Sequence, residues 1–480
     1  MAQAESETDG LLAEGGGGGG YETIKTARWW TPRFMRNESK STRMRKSGTL
    51  DWPSLLVVYF IMLVSEAARG LVIPSQWPYL RALHGTKAQL GVFVASFSAG
   101  RMCATVPLGF LSDNLSMRAV FYVCSSLQIL GHLIYCAAPN VPVLLFSRAV
   151  VGVGSATMSV CRAHVARATT RETRTTHFAY LSALQFIGFA VLPGAGGILA
   201  ALPEFGLFGN LFVFNAFTYP GHLLILSNII GIALLHWVYI DAPEQCNLAE
   251  RIVIEVKDDT NGKDKSQKPP RPASPEVEAS DEQPDWLALV ACLLINICFR
   301  GVVAELETLA SPLLMERYGT TVETTSYIIG GLGFLGLGVY FSFKPITRTF
   351  SDRQLVTIGE ILIALGSIIA WQRFVPVPLW LFTLAIGLVW SLAYPLGQTA
   401  VLGLFSKILA GLPAGGFLGI FSAAGSLARV LFALFCAFLW SEAGPGAVFV
   451  QMLAASLATL VLTLLVYKRL VPYSRLPAVV

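Results

Sequence analysis

The sequence predicts an all-α membrane protein whose twelve transmembrane helices form two pseudo-symmetric six-helix bundles. Hydrophobic residues make up 54% of the 480 residues, charged residues make up only 14%, and the mean hydropathy is +0.59. Soluble domains carry nearer to 25% charged residues. Apolar runs long enough to cross a hydrocarbon core of about 30 Å recur twelve times along the chain. A long polar segment, residues 241–285, separates the first six runs from the last six.

Short polar turns separate the predicted spans. Their limits are 53–76, 88–111, 117–138, 143–166, 177–199, 219–240, 285–310, 322–343, 354–372, 379–405, 415–439 and 446–467. The corresponding domains are a disordered tail (1–50), an N-terminal bundle (51–240), a linker (241–285), a C-terminal bundle (286–470) and a second tail (471–480).

The distribution of basic residues predicts the orientation. With both termini on one side, that side carries 25 Lys and Arg residues and the opposite side carries four, Arg81, Lys87, Arg317 and Arg373. Because basic loops stay on the cytosolic side, both termini are expected in the cytosol.

The N-terminal tail contains two short peptides that resemble sorting signals. Glu7 followed by Leu11 and Leu12 fits an acidic dileucine signal, and Tyr21 with Ile24 fits a tyrosine-based signal. Clathrin adaptor proteins bind such peptides in extended form and route their cargo to endosomes and lysosomes. Each pattern also arises by chance, but the two together in one polar tail predict a lysosomal, late-endosomal or vacuolar protein.

Span 1 carries two charges well inside an apolar run, Glu66 and Arg69. Either charge at mid-membrane costs about 2.5–3.5 kcal/mol unless it faces water or a partner. Residues three apart share a helix face, so the two can neutralise each other and fix helix packing. The alternative is a charged lining for a solute path.

Six arginines fall inside predicted spans: Arg69, Arg101, Arg148, Arg162, Arg300 and Arg429. The carboxylates inside spans are fewer, namely Glu66, Glu305, Glu307 and Glu360. Since unpaired buried guanidiniums are costly, this imbalance predicts that an anionic solute or water satisfies part of the arginines. The predicted substrate-binding residues are Arg69, Arg300, Arg148, Arg101 and Arg429, with Glu66 and Glu307 as proton or charge partners.

Structural roles compete with these assignments. Arg148 and Arg162 can brace helices, and Arg429 can hydrogen-bond carbonyls in its glycine-rich span. Glu305 lies about 140° around the helix from Arg300, which suggests packing or a place at the lumenal rim.

Three motifs resemble those of the major facilitator superfamily. The loop after span 2 contains Gly109, Asp113 and Arg118; span 4 contains Arg148-x-x-x-Gly152-x-Gly154; and span 5 contains the glycine- and proline-rich segment 188–197. The resemblance implies a major facilitator fold in which spans 1, 4, 7 and 10 line a central cavity. It also implies that the loop with Gly109, Asp113 and Arg118 gates the transport cycle. Here Ser116 and Met117 replace two residues of that loop motif.

Several segments resemble, more closely, the lysosomal facilitator family of neuronal ceroid lipofuscinosis type seven. They are Trp77-Pro78-Tyr79-Leu80, Glu307-Thr308, Tyr394-Pro395, Ser406-Lys407-Ile408-Leu409 and Ala428-Arg429. The resemblance implies a transporter of the late-endosomal or lysosomal membrane, in a family associated with chloride permeability.

These observations predict a transporter that moves a small anion (chloride, phosphate or an organic anion) through an arginine-lined cavity. A channel-like chloride leak, a proton-coupled carrier and a non-transporting scaffold remain as alternatives. We expect a monomer in contact with membrane lipid, without cofactor, metal or nucleic acid. The sequence contains no nucleotide-binding glycine loop, nucleophile elbow or metal cluster, so no enzyme is predicted.

Overall fold

The computed structural model describes residues 51–169, 171–207, 212–240, 285–371, 377–409 and 414–470. Within these ranges twelve helices are long and apolar enough to cross a membrane, which confirms the predicted number and class. The sorting peptides, most of the linker and the C-terminal tail lie outside the described residues.

The first six spans run from Trp52 to Trp237. Their helices are Trp52–Gly70 with Ile73–Ala82, Lys87–Asn114, Met117–Cys136, Val141–Gly154 with Thr157–Ala168, Arg171–Phe186 with Pro193–Ala200, and Tyr219–Trp237. An antiparallel hairpin that the sequence did not predict, Phe205–Leu207 with Phe212–Phe214, lies between spans 5 and 6.

The last six spans run from Trp286 to Val466. Their helices are Trp286–Tyr318, Val322–Phe341, Asp352–Ala370, Leu379–Gly387 with Tyr394–Ile408, Ala414–Ala443, and Pro445–Val466. A short helix, Phe343–Thr349, joins spans 8 and 9. Span 7 continues eight residues beyond its predicted end at residue 310, because Pro312 is accommodated within the helix.

Spans 4 and 10, which correspond if the two halves are parallel repeats, are both interrupted midway. Span 4 breaks between Gly154 and Thr157, and span 10 contains a π-helical segment, Leu388–Ala393. Span 5 contains a second π-helical segment, Ile187–Val191, just before Pro193. Proline lacks an N–H for the helix ladder, so the widened turns at its N-terminal side accommodate the missing hydrogen bond.

The two halves contact each other closely through glycines. A Cβ atom at Gly333 in span 8 would lie 1.8 Å from the Ala190 carbonyl oxygen in span 5. A Cβ atom at Gly330 would lie 2.3 Å from Gly194 Cα. Only glycine allows two backbones to come this close.

These contacts lie near the middle of span 8 and extend toward one end of the bundle, where a Cβ atom at Gly197 would lie 2.8 Å from Tyr327. We call it the Lys87 end, because Lys87 at the start of span 2 pairs with Glu316 near the end of span 7. The opposite end, where Arg118 begins span 3, is the Arg118 end. Side-chain contacts at the Arg118 end include Arg118 with Tyr239 and Lys407 with Asp352, each within one half.

Candidate solute site

A row of alternating charges crosses the boundary between the halves. Glu66 Oε1 accepts a hydrogen bond from Arg101 Nη1 at 2.7 Å, and Glu66 Oε2 lies 3.5 Å from Arg69 Nη1. On its other side Arg69 Nε lies 3.7 Å from Glu307 Oε1. Glu307 in turn binds Arg429. We call these five residues the charge chain; in order they are Arg101, Glu66, Arg69, Glu307 and Arg429.

The C-terminal part of the charge chain is held by a two-point contact. Arg429 Nη1 donates to Glu307 Oε1 at 3.1 Å, and Nη2 donates to the second carboxylate oxygen. Two further hydrogen bonds cross between the halves here. Arg429 Nε donates to Ser98 Oγ at 3.4 Å, and the Gln76 amide donates to the Glu307 carbonyl. Glu307 therefore anchors one half to the other through both side chain and backbone.

Aromatic rings cover the guanidiniums in the N-terminal half. The Arg69 guanidinium carbon lies 4.2 Å from the centre of the Phe189 ring, and those of Arg101 and Arg148 each lie 4.8 Å from Phe97. Arg148 Nη1 also donates to the Ala68 carbonyl at 3.0 Å. Cation–π contacts stabilise a desolvated guanidinium without neutralising its charge.

The charge chain carries three guanidiniums and two carboxylates, and Arg148 lies beside it. Arg69, Arg101, Arg148 and Arg429 are all at most 7% exposed. Buried nitrogens of Arg69, Arg101 and Arg148 have no hydrogen-bond acceptor among the described residues. The site is therefore electropositive, with donors available for an anionic acceptor or for water.

Arg300 and Arg162 lie outside the charge chain. Arg300 Nε donates to Asn296 Oδ1 at 3.2 Å, and Arg162 Nη2 approaches Gln185 Oε1 at 3.5 Å. Both side chains are partly exposed. The structure thus brings Arg69, Arg101, Arg148 and Arg429 together with Glu66 and Glu307, and places Arg300 apart from them.

Glu305 and Glu360 are buried away from the charge chain. Glu305 faces spans 11 and 12, since the Cys436 thiol donates to its carbonyl and Gln451 lies beside its carboxyl group. Glu360 Oε1 accepts a hydrogen bond from Thr463 at 2.9 Å. Glu305 is fully buried, as the packing alternative implies, rather than exposed at a rim.

The proposed gating loop is described only in part. Arg118 donates to the Tyr239 carbonyl, and its guanidinium carbon lies 5.8 Å from the centre of the Tyr239 ring. Gly109 and Asp113 belong to the helix Lys87–Asn114, but their surroundings fall outside the described part of the chain.

Polar residues at the Lys87 end close the boundary between the halves. Lys87 Nζ lies 2.8 Å from Glu316 Oε2 and 4.7 Å from the centre of the Trp440 ring. A cavity of about 340 Å³ next to this pair is lined by Trp77 and Arg81 as well as Glu316. Sequence patterns gave no indication of this pair, because its members are far apart in sequence.

The geometry defines a class of protein. Twelve spans in two halves, interrupted helices at mid-membrane and charged residues at the boundary between the halves are typical of secondary transporters that work by alternating access. Among the described residues, no cluster of His, Cys, Asp or Glu could hold a metal ion.

Comparison with known proteins gives the family. The model of the Major Facilitator Superfamily matches residues 58–415, so the chain belongs to this superfamily. It is 27% identical to Major facilitator superfamily domain-containing protein 8 of Xenopus laevis, over 88% of this chain and 92% of that protein. The resemblance drawn from segments of both halves is thereby confirmed.

Solved structures show the same fold. A D-xylose-proton symporter superimposes with a TM-score of 0.67 at 15% identity, over 89% of this chain and 99% of that one. A bacterial homologue of the human lysosomal transporter Spinster, in an inward-facing and occupied conformation, gives a TM-score of 0.64 at 13% identity, over 87% and 96%. Because one fold can serve many functions, the solute must be inferred from the site.

Proposed function

We propose that the protein transports a small anion across the endolysosomal membrane by alternating access. The observation that carries this proposal is the composition of the charge chain, with three guanidiniums and only two carboxylates at the boundary between the halves. An anion supplies the missing negative charge, whereas a cation would add to the excess.

Arg69 has a particular place in this proposal. It belongs to the N-terminal half, but Glu307 on one side of it belongs to the C-terminal half. If the halves separate at the Lys87 end, Glu66 keeps Arg101 and Glu307 keeps Arg429, while Arg69 loses one neighbour. The anion would then take the place of Glu307 beside Arg69, with Arg148 and the other buried donors nearby.

Proton coupling would follow from the same charges. A proton on Glu66 or Glu307 would add one positive charge to the charge chain, and an anion entering with it would restore the balance. Glu66→Gln should then flatten the dependence of anion flux on pH without abolishing flux. A full pH dependence in this variant would remove Glu66 from the coupling step.

The test of the main proposal is flux in proteoliposomes across a panel of anions, namely chloride, phosphate and carboxylates, with and without a pH gradient. Saturable flux with exchange between labelled and unlabelled anion is expected of a carrier. A conductance that does not saturate would identify a channel-like leak. No flux of any anion, from protein that remains folded, would refute transport and favour a scaffold.

We also propose that both termini are cytosolic and that the tail directs the protein to lysosomes. The bias of 25 basic residues against four supports the orientation, and the two peptides of the tail support the address. Replacing Leu11, Leu12 and Tyr21 by alanine should leave the protein at the cell surface, as seen by surface biotinylation. An unchanged distribution would show that clathrin adaptors do not bind these peptides.

A further inference from the structure

Two arginines from different halves share a feature that the charge chain lacks. Arg162, in the helix Thr157–Ala168, and Arg300, in the helix Trp286–Tyr318, are partly exposed. Within the described part of the chain, their side-chain hydrogen bonds go to neutral amides only. Among the described residues, Glu66 and Glu307 pair within 4.0 Å with Arg69, Arg101 and Arg429, and no carboxylate inside a span lies within 4.0 Å of Arg162 or Arg300.

Arg162 belongs to the N-terminal half and Arg300 belongs to the C-terminal half. The two guanidiniums are close enough to interact electrostatically, and Arg300 interacts in the same way with Arg101 of the charge chain. Glu66 is also close enough to attract Arg162, although it does not come within 4.0 Å of it among the described residues. Because Glu66 is already paired with Arg69 and Arg101, Arg162 and Arg300 repel each other, and an anion between them would offset this repulsion. Fixed cations from two separate domains are therefore a natural place for a ligand that carries negative charge.

The surroundings of Arg300 hold it in position. A Cβ atom at Gly425 would lie 2.2 Å from Arg300 Cδ, so the side chain passes directly over a glycine of span 11. Its partner Asn296 is fixed in turn, since Asn296 Nδ2 donates to the Phe421 carbonyl at 2.9 Å and its Oδ1 accepts from Gln398 at 3.1 Å. Asn296 occupies the Nε of Arg300 and leaves the terminal nitrogens for a ligand.

The arginine pair lies nearer to the Arg118 end than the charge chain does. Arg300 precedes Glu307 by seven residues on one helix, a rise of about 10 Å toward the Arg118 end. The close contacts between the halves run from Gly333 and Gly330, in the middle of span 8, to Gly197 against Tyr327 toward the Lys87 end. A solute approaching from the Arg118 end would therefore meet Arg162 and Arg300 before it reaches Arg69.

We propose that Arg162 and Arg300 form a binding site for an oxyanion, a carboxylate or phosphate, that enters or leaves from the Arg118 end. The proposal rests on the anion transport proposed above and narrows its substrate class. A guanidinium presents a planar pair of N–H groups that matches two oxygens of a carboxylate or phosphate, and a spherical chloride ion gains less from that geometry. Gln185 and Asn296 supply further polar groups at the two sides.

The test uses full-length protein purified in detergent and the variants Arg162→Gln, Arg300→Gln and the double variant. The probes are inorganic phosphate, succinate and chloride, with dissociation constants measured by displacement of a radiolabelled anion. We expect each single variant to raise the dissociation constant for phosphate or succinate about tenfold or more. Arg317→Gln is the matched control, because Arg317 lies exposed on the same helix as Arg300 at the Lys87 end and should leave binding unchanged.

A lysine substitution separates shape from charge. Arg300→Lys retains the positive charge but loses the planar pair of donors, so oxyanion binding should remain weak. Full recovery in Arg300→Lys, or wild-type protein that prefers chloride to both oxyanions, would overturn the assignment to an oxyanion.

Failure of this site and failure of anion transport give different results. If wild-type proteoliposomes transport anions and the double variant binds phosphate and succinate like the wild type, the site is refuted and the transport proposal stands. If the wild type transports no anion but still binds oxyanions through these arginines, transport is refuted and the site stands. Absence of both binding and flux would refute both proposals.

Discussion

The substitution Glu307→Gln tests whether the charge chain stabilises the fold. It removes the carboxylate between Arg429, at 3.1 Å, and Arg69, at 3.7 Å, with almost no change of shape. With an effective dielectric constant of about 20, contacts at these distances amount to roughly 5 and 4.5 kcal/mol before desolvation is subtracted. Removing one partner of a buried ion pair has a net cost of about 3–5 kcal/mol, because the other charge stays buried.

The assay is thermal unfolding of the purified protein in detergent. An unfolding entropy of about 2.1 cal/mol/K per residue over about 400 residues gives roughly 0.8 kcal/mol per kelvin, so Glu307→Gln should lower the midpoint by about 4–6 °C. The double variant Glu307→Gln, Arg429→Gln removes both charges and should recover at least half of this loss, a coupling of the kind that neighbouring residues show.

Glu305→Gln is the matched control for this measurement. Glu305 lies two residues from Glu307 on the same helix and is equally buried, but no cation lies within 4.0 Å of its carboxyl group among the described residues. Its substitution should change the midpoint by no more than about 1 °C. An equal loss in both variants, or a double variant no more stable than Glu307→Gln, would show that the ion pairs do not stabilise the protein as argued.

Two further predictions concern the contacts between the halves. Gly333→Ala should disfavour the present conformation by about 1–3 kcal/mol, since its Cβ would meet the Ala190 carbonyl at 1.8 Å. Gly331→Ala is the control and should have little effect, because no atom of the described residues lies within 4 Å of its added Cβ. Distances between spin labels on the two halves at the Lys87 end would show the shift. Lys87→Glu should widen the same distances only slightly, because a partly exposed pair contributes about 0.2–1 kcal/mol. Adding Glu316→Lys to Lys87→Glu exchanges the two charges and should restore the wild-type distances. A Lys87→Glu variant whose Lys87 end opens fully would contradict this weak contribution.

Hydropathy predicted the twelve spans because length and composition alone decide whether a helix can cross a bilayer. The pair of Glu66 and Arg69 was also predictable, since residues three apart on a helix share one face. The imbalance between arginines and glutamates needed only a count of residues within the spans. In each case the relevant information is local in the sequence.

The partners of Glu307 could not be predicted in this way. Arg429 is 122 residues away, and its place opposite Glu307 depends on how two helices pack. From the sequence, the structural role predicted for Arg429 was hydrogen bonding to backbone carbonyls, and the role predicted for Arg162 was to brace helices. The sequence also does not distinguish Gly331 from Gly333, yet among the described residues only Gly333 contacts the other half. Such differences arise from tertiary packing.

The placement of the charge chain links binding to the conformational change. Three contacts around the charge chain must break when the Lys87 end opens: Arg69 with Glu307, Arg429 with Ser98, and the Gln76 amide with the Glu307 carbonyl. The breaks at Ser98 and Gln76 expose neutral groups that water can solvate. The break at Arg69 separates a guanidinium from a carboxylate that keeps its own partner, so the charge left uncompensated is positive. A ligand shifts a conformational equilibrium only by binding one state better than the other, and we therefore expect an anion, rather than a cation or a neutral solute, to stabilise the open state.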